Sequence, residues 1–246
     1  MYKIFIDGQS GTTGLQIEQR LKQRQDIQLL EIPSLDRKDP RVKREAMQQA
    51  DISILCLPDD AAIEAAELDK DARIIDASTA HRIHRDWIYG LPELHPGQRE
   101  NIKNAHKVSN PGCYPTGFLT AITPLITSGL INKESMLCIN AVSGFSGGGK
   151  TMINTYSEAE LQNQRWPCRP YGLGLNHKHV PEMQVHAGLT KAPLFVPHVG
   201  HFEQGMLVEI PLSSDNFNRP GNPEEICAQL MQRYELDPCI QVHSAN

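Results

Sequence analysis

The residue best suited to covalent chemistry in this 246-residue sequence is a cysteine between a turn and a helix start. In Ser109-Asn110-Pro111-Gly112-Cys113-Tyr114-Pro115-Thr116-Gly117, Pro111-Gly112 is a turn signal, and Pro115 suits a first helical turn, where no amide donor is needed. Phe118, Leu119, Ile122, Leu125, Ile126 and Leu130 then recur at helical spacing, which places Cys113 at or just before a helix N-terminus. Unpaired amides and the positive end of the helix dipole favour thiolate over thiol there, and the thiolate is the nucleophile. The other cysteines lack this setting. Cys56 lies in the apolar run Ile52-Ser53-Ile54-Leu55-Cys56-Leu57, and Cys138, Cys168, Cys227 and Cys239 have no comparable turn. A thiol nucleophile calls for a group that titrates near neutrality, and Asn176-His177-Lys178-His179-Val180-Pro181-Glu182 offers two. His177 and His179 stand two apart instead of at the four-residue spacing of a helical zinc pair, so one of them is read as base and acid for Cys113, with no metal. His198, His201 and His243 are read as structural.

These groups must be positioned by the elements around them. Tyr2–Asp7 reads as a buried strand, followed by Gly8-Gln9-Ser10-Gly11-Thr12-Thr13-Gly14 and an amphipathic helix to about Gln25. A Gly-x-x-Gly-x-x-Gly turn between strand and helix lets the backbone approach a pyrophosphate, which makes Gly8, Ser10, Gly11, Thr12, Thr13 and Gly14 candidate cofactor contacts. A second strand, Ile27–Ile32, runs into Pro33-Ser34-Leu35-Asp36-Arg37-Lys38. Asp36 would suit the ribose hydroxyls of NAD, whereas Ser34, Arg37 and Lys38 suit the 2′-phosphate of NADP, which is the preferred reading. A helix over Pro40–Gln49, a strand over Asp51–Leu57, a helix over Asp59–Leu68 and a strand over Ala72–Asp76 follow. Strands alternating with helices predict a parallel sheet covered on both faces, with ligands at its carboxyl edge. Cys56, Pro58 and Ser78 fall at that edge as further cofactor contacts, and Arg82 falls there as a fork for a phosphate. Tyr89–Glu93 reads as an irregular crossing and His106–Ser109 as the strand that delivers Cys113.

Beyond Gly129 the pattern changes. Met136–Val142 reads as a strand and Ser143-Gly144-Phe145-Ser146-Gly147-Gly148-Gly149-Lys150 as a loop whose amides and hydroxyls suit a polar ligand. Gly144, Gly149, Lys150 and Thr151 also match a nucleoside-triphosphate loop, a motif credible only between a strand and a helix of a parallel sheet. A helix through Leu189, strands over Leu194–Val199 and Met206–Leu212, and a helix over Pro223–Glu235 complete the chain. The expectation is an α/β fold: a Rossmann-type dinucleotide-binding domain over 1–112, then an α+β catalytic and dimerisation domain over 113–246 with a largely antiparallel sheet.

Composition narrows the functions. A formal net charge of -5 with no basic run beyond Arg41-Val42-Lys43-Arg44 gives no reason to expect nucleic acid. With 39% hydrophobic residues and no run near the ~20 apolar residues of a membrane span, no membrane partner is expected. Met1-Tyr2-Lys3 leads straight into a strand, and six cysteines without zinc-ligand spacing indicate reduced thiols, both pointing to the cytoplasm.

Together, Gly8-x-x-Gly11-x-x-Gly14, the Cys113 stretch, Ser143–Gly149 and His177-x-His179-x-Pro181-Glu182 resemble the short-chain type of the N-acetyl-gamma-glutamyl-phosphate reductase family, in the same order from end to end. The resemblance implies an arginine-biosynthesis enzyme that reduces an acyl phosphate, N-acetyl-glutamyl 5-phosphate, with NADPH, and a homo-oligomer, dimer or tetramer. It assigns the nucleophile to Cys113 and the base to His177. It gives substrate contacts to the hydroxyl-rich loop, with Ser143, Ser146 and Gly147; Asn110, Arg82, His179 and Glu182 are further candidate substrate contacts, with the Cys113 amide and Asn110 expected to hold the oxyanion. It also implies further strands and a Gly-Ala-Ser-Gly-containing helix after the point where this sequence reaches His243-Ser244-Ala245-Asn246. Three other readings accompany it: a dehydrogenase of the aspartate-semialdehyde type, a nucleotide-binding chain inactivated by truncation, and a Cys/His acyl hydrolase.

Overall fold

The computed structural model describes residues 1–8, 12–162, 164 and 166–244. The chain divides into two compact units, Met1–Gly90 with Glu100–Pro111 and Gly148–Thr155, and Leu91–Arg99 with Gly112–Gly147 and Tyr156–Asn246.

The first unit is built on a sheet of β1 (Tyr2–Asp7), β2 (Ile27–Leu30), β3 (Ile52–Leu55), β4 (Ile74–Asp76), β5 (Ile88–Tyr89) and β6 (Lys107–Ser109), with α1 (Thr12–Lys22), α2 (Pro40–Gln49) and α3 (Asp59–Ala66) between the early strands. The strand order is β2-β1-β3-β4-β6-β5 and every pairing is parallel. Apolar runs make this possible: Phe5, Leu55 and Ile74 are buried in one cluster with Met47 of α2 and Ala65 and Ala66 of α3. Burying a side chain of this size stabilises the fold by ~1.5–3 kcal/mol. Asp39 caps α2 by accepting the Arg41 amide at 2.8 Å, with Pro40 in the first turn, where its missing donor costs nothing. Two elements depart from the sequence expectation. The crossing expected at Tyr89–Glu93 begins inside β5, which at two residues is too short to show a pattern. A further helix, α4 (Gln98–Asn104), has Ile102 as its one apolar residue and so no periodicity to read.

In the second unit α5 (Cys113–Thr127) starts at the cysteine, with Gly112 as N-cap. Pro124 inside α5 has no amide to give the Thr120 carbonyl. The hydroxyl of Tyr234 on α8 (Pro223–Tyr234) donates to that carbonyl at 2.7 Å and satisfies it. The sheet contains β7 (Cys138–Gly144), β8 (Cys168–Pro170), β9 (Leu194–Gly200) and β10 (Met206–Glu209) in the order β10-β7-β9-β8. Its outer pairings are antiparallel, but the central pair β7–β9 is parallel from Cys138↔Leu194 to Gly144↔Gly200. A parallel pair needs a long crossover, and the chain between these strands supplies one through α6 (Gly149–Leu161), β8 and α7 (Val180–Ala187). The loop expected at Ser143–Lys150 is ordered: the end of β7, a 3-10 turn over Phe145–Gly148 and the first residues of α6. Amides of Gly144, Phe145 and Ser146 donate to carbonyls of Gly205, Phe202 and Glu203, which hold the segment against the turn before β10.

Candidate active site and nucleotide cleft

Cys113 is exposed at the first residue of α5, where helical amides lack intrahelical acceptors. The residue before it is fixed from far along the chain. The amide of Gly112 donates at 2.6 Å to Oε1 of Glu182 on α7, a carboxylate only 1% exposed. Glu182, expected at the substrate, thus holds the start of α5. Tyr114, one residue on, is buried and bonds its hydroxyl to Ser143 Oγ at 2.8 Å and to the Tyr171 hydroxyl at 3.1 Å. Burial drives both phenols above their ordinary pKa, and negative charge on Cys113 pushes each further up, so both stay protonated. Tyr171 was not singled out from the sequence. The only local hint is a phenol six residues before His177 in a Gly-rich turn.

His177 is half-buried among aromatic edges, with ring centroids 6.0 Å from Tyr114, 5.8 Å from Tyr171 and 5.2 Å from Phe195. Burial, followed by the charge of Lys178, holds its pKa below the ordinary 6.5, so the ring is neutral at pH 7. Its Nδ1 accepts the backbone amide of His179 at 3.2 Å. In the neutral ring the proton therefore sits on Nε2, and that nitrogen is a hydrogen-bond donor. In this state the Nε2 proton is the one His177 has to offer. His179 caps α7, is 6% exposed, and lies edge-on to Tyr114 at 5.8 Å. Ser146 donates its hydroxyl to the Glu203 carbonyl at 2.5 Å, and Gly147 is exposed with open space at its α-carbon.

The first unit carries a cleft of about 310 Å³ at the carboxyl ends of β1, β2 and β3, lined among others by Asp7, Gly8, Arg37, Lys38 and Lys43. Gly8 has φ +91°, and a Cβ there would stand 2.2 Å from the Cys56 carbonyl oxygen, so only glycine lets β1 turn so close to the end of β3. Ser10 and Gly11 lie outside the described residues, as do the side chains of Thr12 and Thr13; Gly14 is buried in α1. Arg37 and Lys38 are exposed at the cleft, and Ser34 is exposed on the loop before them. Cys56 is pushed up to about 11 by burial and by the charges of Asp76 and Asp7, so it stays a thiol. Pro58 precedes α3 as its N-cap. Ser78 donates to Asp76 at 2.5 Å, and Asp76, fully buried, also bonds His81 Nδ1 at 2.7 Å. Arg82 is buried and donates to the Ala77 carbonyl at 3.1 Å, and the exposed Asn110 donates to the Pro111 carbonyl at 3.3 Å. A glycine turn that only glycine can make and cationic side chains on one cleft fit the phosphates of a dinucleotide.

Lys43 was missed because α2 reads as a charged surface helix. The signal was its spacing: Lys43 lies one turn before Met47, which is 2% exposed, and so shares the inward face. Among the described residues, one group, Glu93, Asp237 and Cys239, brings three potential metal-ligand atoms within 4.8 Å of one another. Glu93 there pairs with Arg99, and Asp237 caps the Cys239 amide. Among the described residues no helix is long and apolar enough to cross a membrane.

Residues 34–105 match the family model described as semialdehyde dehydrogenase, NAD binding domain, and residues 113–246 match semialdehyde dehydrogenase, dimerisation domain. The fold is similar to aspartate semialdehyde dehydrogenase II from Vibrio cholerae, with TM-score 0.67 and 18% identity over 94% of this chain and 79% of that one. The chain is 50% identical to N-acetyl-gamma-glutamyl-phosphate reductase of Trichormus variabilis over 98% of its length and 77% of that protein. It is 44% identical to the enzyme of the same name from Brucella ovis over 98% of its length and 79% of that protein. Identity at this level over nearly the whole sequence places the chain in the N-acetyl-gamma-glutamyl-phosphate reductase family of semialdehyde dehydrogenases.

Proposed function

We propose that this chain reduces N-acetyl-glutamyl 5-phosphate to the 5-semialdehyde with release of phosphate, using NADPH, as a cytoplasmic step of arginine biosynthesis. The observation that carries the reading is an exposed cysteine at the first residue of α5, in a chain half identical to reductases of that name. Residues 1–112 serve the nucleotide and residues 113–246 serve catalysis and dimerisation, in a homodimer or a tetramer built from it.

The Cys113 thiolate adds to the acyl carbon, and the carbonyl electron pair moves to oxygen. His177 donates its Nε2 proton in a hydrogen bond to that oxygen, a role suited to a neutral imidazole whose other nitrogen is occupied. When the pair returns, the carbon–oxygen bond to phosphate breaks and a thioester remains on Cys113. NADPH, when bound, supplies a hydride. After reduction the oxyanion again collects the His177 donor, and its collapse expels the thiolate and releases the aldehyde. The displaced phosphate oxygen takes up one proton, supplied from solvent, and His177 acts on the substrate oxygen as a hydrogen-bond donor. The Tyr114–Ser143–Tyr171 hydroxyls keep the wall beside Cys113 polar and un-ionised. Arg82, Asn110, Ser146 and His179 are proposed as substrate contacts, and Gly8 through Gly14, Ser34, Arg37, Lys38, Cys56, Pro58 and Ser78 as nucleotide contacts.

The test follows NADPH absorbance at 340 nm with N-acetyl-glutamyl phosphate and, separately, aspartyl phosphate. Oxidation with the first, lost by about 10³-fold or more in Cys113→Ser, supports the reading. Faster turnover of aspartyl phosphate, enzyme-catalysed phosphate release without NADPH that continues past one equivalent per Cys113, or an active serine variant overturns it.

A further inference from the structure

The carboxyl end of β1 poses an electrostatic problem for any nucleotide. Asp7 is the last residue of β1, immediately before the glycine turn, and its side chain is 10% exposed and lines the same cleft as Gly8. A carboxylate there repels a pyrophosphate brought to the turn, and burial strengthens that repulsion. Lys43 answers it: its Nζ lies 2.7 Å from Asp7 Oδ2, its side chain is 17% exposed, and it too lines the cleft. Arg37 and Lys38, the cations expected to read the 2′-phosphate, are exposed on the loop after β2. Lys43 instead reaches down from α2, which packs on β1.

We propose that Lys43 is a positioning residue that neutralises Asp7, so that the glycine turn accepts the pyrophosphate shared by all dinucleotides, and that it is not a reader of the 2′-phosphate. This rests on the nucleotide reading above and deepens it, since it separates the residue that permits dinucleotide binding from those that choose between NADP and NAD. Removing Lys43 leaves a buried, unpaired carboxylate facing an anion. Removing both members of the pair leaves a neutral wall.

The experiment measures dissociation constants for NADPH and NADH by nucleotide fluorescence or calorimetry on the full chain, with the thermal midpoint of each nucleotide-free variant as a check on folding. Lys43→Met is expected to weaken both nucleotides by the same factor, about tenfold or more. Adding Asp7→Asn to it should restore both to within about threefold of the starting protein. Asp7→Asn alone, which leaves the lysine in place, should bind both at least as tightly as the unmodified chain. A purely structural role would lower the thermal midpoint without rescue of affinity by the second substitution. The inference is overturned if Lys43→Met spares NADH while losing NADPH, if the double variant stays as weak as the single one, or if Asp7→Asn loses affinity. Failure of the unmodified chain to bind either nucleotide would instead sink the nucleotide reading itself.

Discussion

Replacing Gly8 with alanine tests the backbone geometry on which the nucleotide cleft depends. Two costs add. Gly8 has φ +91°, a region that costs an L-residue with a Cβ about 1–2 kcal/mol. The new Cβ would also stand 2.2 Å from the Cys56 carbonyl oxygen and 2.7 Å from its carbon, and those atoms are backbone, so they cannot rotate away. Relief requires the ends of β1 and β3 to part, and these are joined by the Cys56 amide donating to the Asp7 carbonyl at 2.8 Å. Overpacking of this kind costs roughly 1–3 kcal/mol, and weakening that hydrogen bond adds about 0.5–1.5 kcal/mol. The sum, about 3–6 kcal/mol, corresponds to a fall in thermal midpoint of roughly 6–24 °C for a chain of this size. Gly97→Ala is the control that isolates the backbone cost. It has φ +86° with nothing within 4 Å of the added carbon, so it should lose only about 1–2 kcal/mol. Thermal unfolding followed by circular dichroism, with NADPH titration alongside, reads both. A Gly8→Ala midpoint no lower than that of Gly97→Ala would refute the claim that the approach to Cys56 requires glycine.

The remaining predictions concern the second unit. Glu182→Ala leaves the Gly112 amide without the carboxylate that accepts it and should cost about 2–4 kcal/mol by urea unfolding, with Cys113 alkylated at a changed rate; Glu182→Gln should lose less, since it keeps an acceptor of the same shape. Tyr234→Phe strands the Thr120 carbonyl that Pro124 cannot serve, for a loss of ~1–3 kcal/mol, and an unchanged midpoint would show that water takes the place of the hydroxyl. His177, lowered by burial, should titrate below 6.5 by NMR. The unfolded chain then takes up this proton first, so stability falls as pH drops below about 6.5, and His177→Gln should soften that fall; a midpoint above 6.5 would contradict the burial argument and the neutral donor with it.

Local signals in the sequence were enough to determine the alternation of strands and helices from β1 through β4, the bounds of α2, and Cys113 at a helix start. Apolar period, proline at a first turn and a Pro-Gly break act within a few residues and need no partner. Gly8 at the end of β1 was legible for the same reason, although the identity of the atom that enforces it, the carbonyl of Cys56, was not. What the tertiary structure alone decided are the relations between distant segments. They include the parallel pairing of β7 with β9, the Glu182 carboxylate on the Gly112 amide 70 residues away, the Tyr114–Tyr171 contact 57 residues apart, and the Lys43–Asp7 pair. The tautomer of His177 belongs with them in kind, because the amide that fixes it is aimed by the turn into α7. Each depends on where the chain returns after a crossover, and a side chain has no local preference that encodes its partner across such a distance. Residue types and spacing therefore name the chemistry, while packing assigns the charge, the proton and the hydrogen bond that let it proceed.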